Sequence, residues 1–298
     1  MGGLRRVGDM LGAMSNDWSI DRALPPGVRD VCTTRAGGVS LPPFDGFNLR
    51  DHVKDDPLAV AANRAQLAKE LNQQLTDQIN ERINEDSVVR PVFLQQVHGV
   101  DVVALHADTP DGTVADACWT GDIGVACTIM VADCLPVLLT HPDGALVAAA
   151  HAGWRGLAGG VIEQTVAAMC QAKGLKAQDL SVWLGPCIGP TAFEVGDDVR
   201  QAFLQAEANQ QRYGQSQSHS QSQSHILRYF KAHASHPNKW LADLAGLAHA
   251  RLAWLGIQNI HGNDSTPAWC TVTQSSKFFS YRREGVTGRF AACIWRHS

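Results

Sequence analysis

Long hydrophobic runs are missing from this sequence, although 45% of its 298 residues are hydrophobic. A membrane-spanning helix needs about 18 or more consecutive apolar residues, and no stretch reaches that length. The first twenty residues also lack the apolar segment of a signal peptide. We therefore predict a cytoplasmic protein without a membrane partner.

An excess of charge of one sign is also lacking, since the formal net charge is only −4. Proteins that bind nucleic acids through the phosphate backbone need clustered lysine and arginine. The short basic stretches Arg5-Arg6 and Arg282-Arg283 are interpreted as a solvated tail and a solvated turn. The charge pattern therefore predicts no nucleic-acid partner.

The eight cysteines form no Cys-x-x-Cys pair and no dense disulfide framework. In a reducing compartment most of them are expected to be buried apolar residues. The sequence thus predicts neither a disulfide scaffold nor a typical structural zinc finger. It gives no indication of the oligomeric state.

The organisation of the chain predicts a single catalytic domain over residues 21–298, preceded by an N-terminal extension over residues 1–20 without fixed structure. A Gln/Ser-rich stretch at about 205–225 lacks apolar periodicity and is interpreted as a disordered surface insertion. Four histidines lie in or beside it and are interpreted as residues of a polar loop: His219, His225, His233 and His236.

Short apolar segments alternate with helical patterns through the rest of the chain. The predicted strands are Val92–Leu94, Val102–Leu105, Gly124–Val131, Val137–Leu139, Ala145–Ala150 and Ser181–Leu184. The predicted helices are Pro57–Leu71, Leu157–Ala172 and Trp240–Leu255. Several strands are apolar throughout, as expected for strands buried on both faces. The pattern predicts an α/β fold, a layered α/β sandwich with mixed sheets.

Three short stretches at or just beyond predicted strand ends each carry one potential metal ligand: His98, Cys134 and His151. Two imidazoles and a thiolate suit a borderline-soft ion such as Zn²⁺, and three protein ligands leave a fourth position for water or substrate. Each residue alone is weak evidence, because a lone histidine is commonly a turn residue and a lone cysteine is commonly core. His151 is the strongest, because it ends an apolar strand and begins a glycine-rich turn.

These stretches belong to a set of motifs that resembles the YfiH or "laccase-domain" family from about residue 27 to 296. The motifs are Thr33–Ser40, Phe47–Leu49, Gln95–Gly99, Val131–Pro136, His151–Gly156, Trp183–Gly189 and Phe279–Arg283. The resemblance implies a YfiH-like fold and an enzyme that acts on purine nucleosides and phosphate. It would convert adenosine, inosine and methylthioadenosine to the free base and a (methylthio)ribose-1-phosphate, and would also deaminate adenosine.

The resemblance also assigns individual residues. His98, Cys134 and His151 match the zinc ligands of the family, which implies one zinc per chain. Arg35 and Asn48 fall in motifs that the resemblance places near the substrate, although a tight turn and a loop cap explain them equally well. Arg155 begins a glycine-rich helix that could receive an anion. We therefore predict Arg35, Asn48, Cys134 and Arg155 as catalytic residues.

Three other functional classes remain as alternatives. A copper-dependent polyphenol oxidase is disfavoured, because the chain has 12 histidines but no His-x-His pair, although adventitious copper binding is expected. A cysteine hydrolase or amidase in cytosolic peptidoglycan-precursor editing would use Cys134 as nucleophile and His151 as base. A pure binding module has no need of an open metal site.

Overall fold

The computed structural model describes residues 23–79, 88–213 and 225–298. The predicted N-terminal extension, residues 1–20, lies outside these ranges, as do residues 214–224 of the predicted insertion. Within the described ranges the strands are β1 (Val28–Cys32), β2 (Arg90–Phe93), β3 (Val102–Ala104), β4 (Ala117–Thr120), β5 (Val125–Val131), β6 (Leu135–Thr140), β7 (Val147–Ala152), β8 (Ser181–Leu184), β9 (Glu194–Gly196), β10 (Phe230–Ala232), β11 (Lys239–Ala242), β12 (Asn259–Gly262) and β13 (Phe290–Arg296). The α-helices are α1 (Pro57–Ile79), α2 (Trp154–Gly159), α3 (Val161–Lys173), α4 (Asp197–Tyr213), α5 (Leu244–Trp254) and α6 (Tyr281–Glu284).

Two mixed sheets pack face to face to form the sandwich. The first has the strand order β1-β13-β5-β2, and the second has the order β12-β8-β6-β7-β4-β3. Helix α1 covers the outer face of the first sheet, whereas α3 and α5 cover the outer face of the second. A small sheet, β10-β11-β9, joins the second helical layer. The predicted layered α/β sandwich with mixed sheets is confirmed.

Successive side chains of the central strands face two different apolar layers, which explains why these strands are apolar throughout. In β5, Cys127 and Ile129 face the second sheet, whereas Ala126 and Met130 face α1 and its neighbours. All seven residues of this strand are buried. Because successive side chains point to opposite faces, a strand between two apolar layers has no polar side.

Two predicted helices have different bounds in the structure, because a glycine divides one of them and an N-terminal capping residue begins the other. The predicted helix Leu157–Ala172 is two helices, because Gly160 adopts a left-handed conformation (φ 98°) between α2 and α3. The predicted helix Trp240–Leu255 begins only at Leu244, where the Asp243 side chain accepts a hydrogen bond from the Gly246 N–H at 2.9 Å. Trp240 instead lies in strand β11.

Helices α1 and α4 both extend into segments of polar sequence. Helix α1 extends to Ile79, so the polar residues after Leu71 continue the helix. Helix α4 continues to Tyr213. Residues 205–213 are therefore helical, which corrects the prediction of a disordered insertion there. For residues 214–224 the insertion stays a prediction. Among the described residues, no helix is long and apolar enough to cross a membrane.

Candidate metal centre and cleft

His98, Cys134 and His151 meet at the seam between the two sheets. His98 follows β2 of the first sheet and adopts a positive φ of 63°. Cys134 lies in the short crossing from β5 of the first sheet to β6 of the second. His151 is the fifth residue of β7 in the second sheet. The three side chains therefore come from both layers of the sandwich.

The geometry of these three side chains suits a single metal ion. Their ligand atoms all lie within 4.8 Å of one another. The Cys134 Sγ is 3.7 Å from the His98 Nε2, and the two imidazole centroids are 4.7 Å apart in an edge-to-face arrangement. An ion bound at ordinary zinc distances of about 2.0–2.3 Å would reach donor atoms with this separation. A His₂Cys donor set also suits zinc chemically.

Asp116 connects two of the candidate ligands. Its carboxylate accepts hydrogen bonds from the backbone N–H groups of Val97 (3.1 Å), His98 (2.9 Å) and Gly99 (2.6 Å). It also lies 2.7 Å from the His151 Nδ1. This contact leaves the other ring nitrogen, Nε2, for a metal. Asp116 therefore fixes the loop that carries His98 and orients the ring of His151.

We expect Asp116→Asn to lower the metal affinity by about 10- to 100-fold while the protein stays folded, because the outer partner of a metal-binding histidine sets its orientation. Asn has the same shape but cannot accept all of these hydrogen bonds. Metal affinity can be measured by competition with a chromophoric chelator. Asp122→Asn, at an exposed carboxylate beside His106, serves as the control. Equal affinities of the two variants would contradict this role.

The environment also changes the protonation of the ligands. Burial alone would raise the pKa of the Cys134 thiol, but the charges and hydrogen bonds of His151 and His98 lower it to about 6. Burial alone would lower the pKa of His151, but the Cys134 thiolate and the Asp116 carboxylate raise it to about 9. Without a metal, the pair is a thiolate and an imidazolium near pH 7. A bound ion would therefore displace a proton from His151.

A cleft of about 420 Å³ opens above the three side chains. Its apolar lining, called the apolar wall, consists of Trp154, Ile188, Phe193 and Leu244. Its basic lining, called the cationic cluster, consists of Arg50, Arg282 and Arg289, and Arg282 lies over the Phe193 ring at 5.8 Å. Asp133, which lines the cleft beside Cys134, uses its carboxylate to accept hydrogen bonds from Thr271 (2.5 Å) and from the Arg282 N–H (2.7 Å).

The other three predicted catalytic residues do not line this cleft. Arg35 is 2.7 Å from the Glu284 carboxylate and stacks over Phe279. Asn48 is fully buried, and Arg155 is exposed and stacks over Trp154 at 4.4 Å. The three side chains are therefore not among those that line the cleft, and their catalytic roles stay predictions.

The cationic cluster was missed by the sequence interpretation. Arg282, which the sequence predicts in a solvated turn, is exposed but also lines the cleft. Its guanidinium donates to the backbone oxygens of Ala192 (3.0 Å) and Glu194 (3.1 Å). Arg50 follows the motif Phe47–Leu49, and Arg289 follows the motif Phe279–Arg283. Their proximity to these motifs was the available signal.

The histidines near the predicted insertion have other partners. His236 Nδ1 lies 2.8 Å from the Glu194 carboxylate, and His233 Nε2 lies 3.4 Å from it. Both rings stack with centroids 4.4 Å apart. His233 Nδ1 accepts backbone N–H groups of Ser235 and His236, which places the proton of the neutral ring on Nε2. This arrangement favours a hydrogen-bonded turn over a second metal site.

The fold and the site define a two-sheet α/β protein with a potential His₂Cys metal centre, and comparisons with known proteins place it further. The family model described as multi-copper polyphenol oxidoreductase laccase matches residues 29–297. A purine nucleoside phosphorylase of Pseudomonas aeruginosa is 43% identical, over 94% of this chain and 98% of its own length. The purine nucleoside phosphorylase YfiH of Escherichia coli is 41% identical, over 91% and 95%.

A solved structure of the Neisseria meningitidis protein NMB0706, of the family DUF152, superposes with a TM-score of 0.75 and 36% identity, covering 94% of this chain and 98% of that one. A solved YfiH structure from Bacillus licheniformis gives a TM-score of 0.72 at 26% identity, covering 90% and 92%. The chain belongs to the YfiH-type laccase-domain family, as its motifs predicted.

Proposed function

We propose that this protein is a zinc-dependent purine nucleoside phosphorylase that also deaminates adenosine. The observation that carries the proposal is the His98, Cys134 and His151 cluster in a cleft that apolar and cationic side chains line together. The names of the relatives support nucleoside phosphorolysis. The substrates would be adenosine, inosine and methylthioadenosine, with phosphate as the second substrate.

His98 Nε2, Cys134 Sγ and His151 Nε2 would hold the zinc. When bound, zinc supplies Lewis-acid chemistry and lowers the pKa of water, which deamination needs. Copper would bind the same donors adventitiously, because Cu²⁺ competes well at nitrogen and sulfur sites. The contribution of the chain is to hold these donors in place, through Asp116 for the two histidines and through the strand crossing for Cys134.

The apolar wall suits the base of a nucleoside. Ile188, Phe193 and Leu244 are buried, and Trp154 is half-buried at the start of α2. Such surfaces favour a flat heterocycle that would otherwise expose its faces to water. The volume of about 420 Å³ falls within the range of about 300–1,000 Å³ that is usual for small-molecule sites.

Product analysis tests this proposal directly. Zinc-loaded protein incubated with adenosine should release adenine and ribose-1-phosphate when phosphate is present, and inosine by the competing reaction with water. Omitting phosphate should abolish release of the base and spare deamination. Chelation should remove both activities, and zinc should restore them. Release of neither adenine nor inosine by zinc-loaded protein would overturn the proposal.

A cysteine hydrolase is a second candidate, because the metal-free side chains also resemble a nucleophilic arrangement. The Cys134 thiolate is stabilised by His151, and the His151 Nδ1 lies 2.7 Å from Asp116. This order of thiol, imidazole and carboxylate is that of a catalytic triad. However, a nucleophile needs only one base, whereas two imidazoles surround Cys134. The second imidazole favours the metal proposal.

Alkylation of Cys134 separates the two candidates. After metal removal, we expect iodoacetamide to modify Cys134 with a rate that rises as pH increases through about 6, because deprotonation there produces the reactive thiolate. Below that pH the rate should fall, since the thiol is protonated. Added zinc should suppress the reaction at every pH at which it binds. Rapid alkylation of Cys134 in fully zinc-loaded protein would favour the hydrolase.

A further inference from the structure

The guanidinium groups of the cationic cluster are held without ion pairs in the described part of the chain. Among the described residues, no carboxylate forms an ion pair with Arg50, Arg282 or Arg289, whereas Arg35 and Arg251 pair with Glu284 and Glu163. Guanidinium groups repel one another when they are gathered in one place. Burial and the proximity of Arg50 lower the pKa of the Arg289 guanidinium, whereas the charges of Cys134 and Asp133 raise it. A cluster with this composition is suited to an anion.

Backbone groups hold the arginines in place without neutralising them. Arg50 Nη2 donates to the Gln96 carbonyl at 3.1 Å, and Arg289 Nη1 donates to the carbonyls of Thr287 (2.8 Å) and Gly288 (2.9 Å). Within the described part of the chain, these bonds leave Nη1 of Arg50 and Nη2 of Arg289 without a protein acceptor. The free N–H groups belong to side chains that line the cleft.

Asn48 brings two of these arginines together. Its Oδ1 accepts the backbone N–H of Arg50 at 3.1 Å and that of Arg289 at 2.9 Å. Its Nδ2 donates to the Asp55 carboxylate at 2.8 Å, which fixes the orientation of the amide. Asn48 is therefore a positioning residue for the cluster.

We propose that Arg50, Arg282 and Arg289 form an anion subsite that binds inorganic phosphate beside the His98, Cys134 and His151 cluster. Planar guanidinium groups match phosphate oxygens with paired N–H donors, and three of them surround a dianion better than one. The inference rests on the proposed phosphorylase function, for which it names the residues that bind the second substrate. It assigns the anion to residues other than Arg155, whose glycine-rich helix was the expectation from the sequence.

Calorimetric titration of zinc-loaded protein with inorganic phosphate provides the test, because it needs no turnover. Arg289→Met and Arg50→Met should each weaken phosphate binding by about tenfold or more, as expected for the loss of charge-assisted hydrogen bonds. Arg289→Lys should weaken it less, since the charge remains while the paired geometry is lost. In the activity assay, KM for phosphate should rise more than KM for adenosine.

Lys173→Met is the matched control, because it removes one positive charge from an exposed helix end that does not line the cleft. Its phosphate affinity should equal that of the unaltered protein, and melting temperatures check that every variant is folded. A parallel titration with adenosine 5′-monophosphate distinguishes free phosphate from the phosphoryl group of a nucleotide.

Unchanged phosphate binding in folded Arg289→Met and Arg50→Met, or binding of the nucleotide without binding of free phosphate, would overturn the subsite. Arginine-dependent phosphate binding in a protein that cleaves no nucleoside would uphold the subsite while the proposed function fails.

Discussion

Cys134→Ala is expected to abolish zinc binding and, with it, both phosphorolysis and deamination of adenosine. The unaltered protein should carry about one zinc per chain, since three protein ligands suffice for a catalytic site. Removing the thiolate leaves two imidazoles, which cannot hold the ion in the same position. Metal content measured by atomic emission, together with product analysis on the same samples, checks the result.

Cys170→Ala is the appropriate control for this substitution. Cys170 lies in α3, is partly buried like Cys134, and does not line the cleft. It should keep its zinc and its activity. Full zinc occupancy in Cys134→Ala would exclude this cysteine as a ligand, whereas retained zinc without activity would point to a role in catalysis alone.

Gly153→Ala is expected to reduce activity on the order of a hundredfold, the effect typical of displacing catalytic groups by about 1 Å. A methyl group at this position would lie 2.8 Å from the His98 Cδ2 and 3.0 Å from the Cys134 Sγ. The backbone of Gly153, at φ −65° and ψ 160°, is accessible to alanine. The effect therefore comes from displacement of two ligands and not from backbone strain.

Gly121→Ala provides the comparison. There the nearest atom to an added methyl group is a terminal methyl of Leu146, 3.2 Å away, which can move by a rotamer adjustment. Both variants should melt at temperatures close to that of the unaltered protein when metal is absent, but only Gly153→Ala should lose metal affinity. Equal zinc affinity in the two glycine variants would contradict the crowded geometry at Gly153.

Burial on both faces leaves a continuous apolar signal, which made β5 and β7 predictable. Strand β13, Phe290–Arg296, is central and almost wholly buried as well, but it was not predicted. Strand β4, Ala117–Thr120, was not predicted, because Cys118 and Trp119 form too short a pattern beside the polar Asp116 and Thr120. The short strands β9 and β12 pair with strands that are distant in sequence, and β10 and β11 have only three and four residues. Local periodicity carries no information about such partners.

The potential metal ligands of the candidate site were predictable, because each of them lies in a recognisable short motif. His98, Cys134 and His151 each stand in a distinctive local context, and the structure brings them together. The cationic cluster was not predictable in this way, because Arg50 and Arg289 are distant in sequence and are brought together by tertiary contacts such as those of Asn48. An arginine in a short basic stretch gives no local indication of whether a carboxylate will pair with it.

The origin of the three ligands in both sheets has a consequence for the unfolding of the molecule. An ion bound by His98, by Cys134 in the strand crossing and by His151 would act as a cross-link between the two layers, in a chain whose described cysteines are all free thiols. Separating the sheets would then require release of the ion. Resistance to thermal denaturation would then depend on the free metal concentration, and a cell that withholds the metal would weaken the scaffold together with the site.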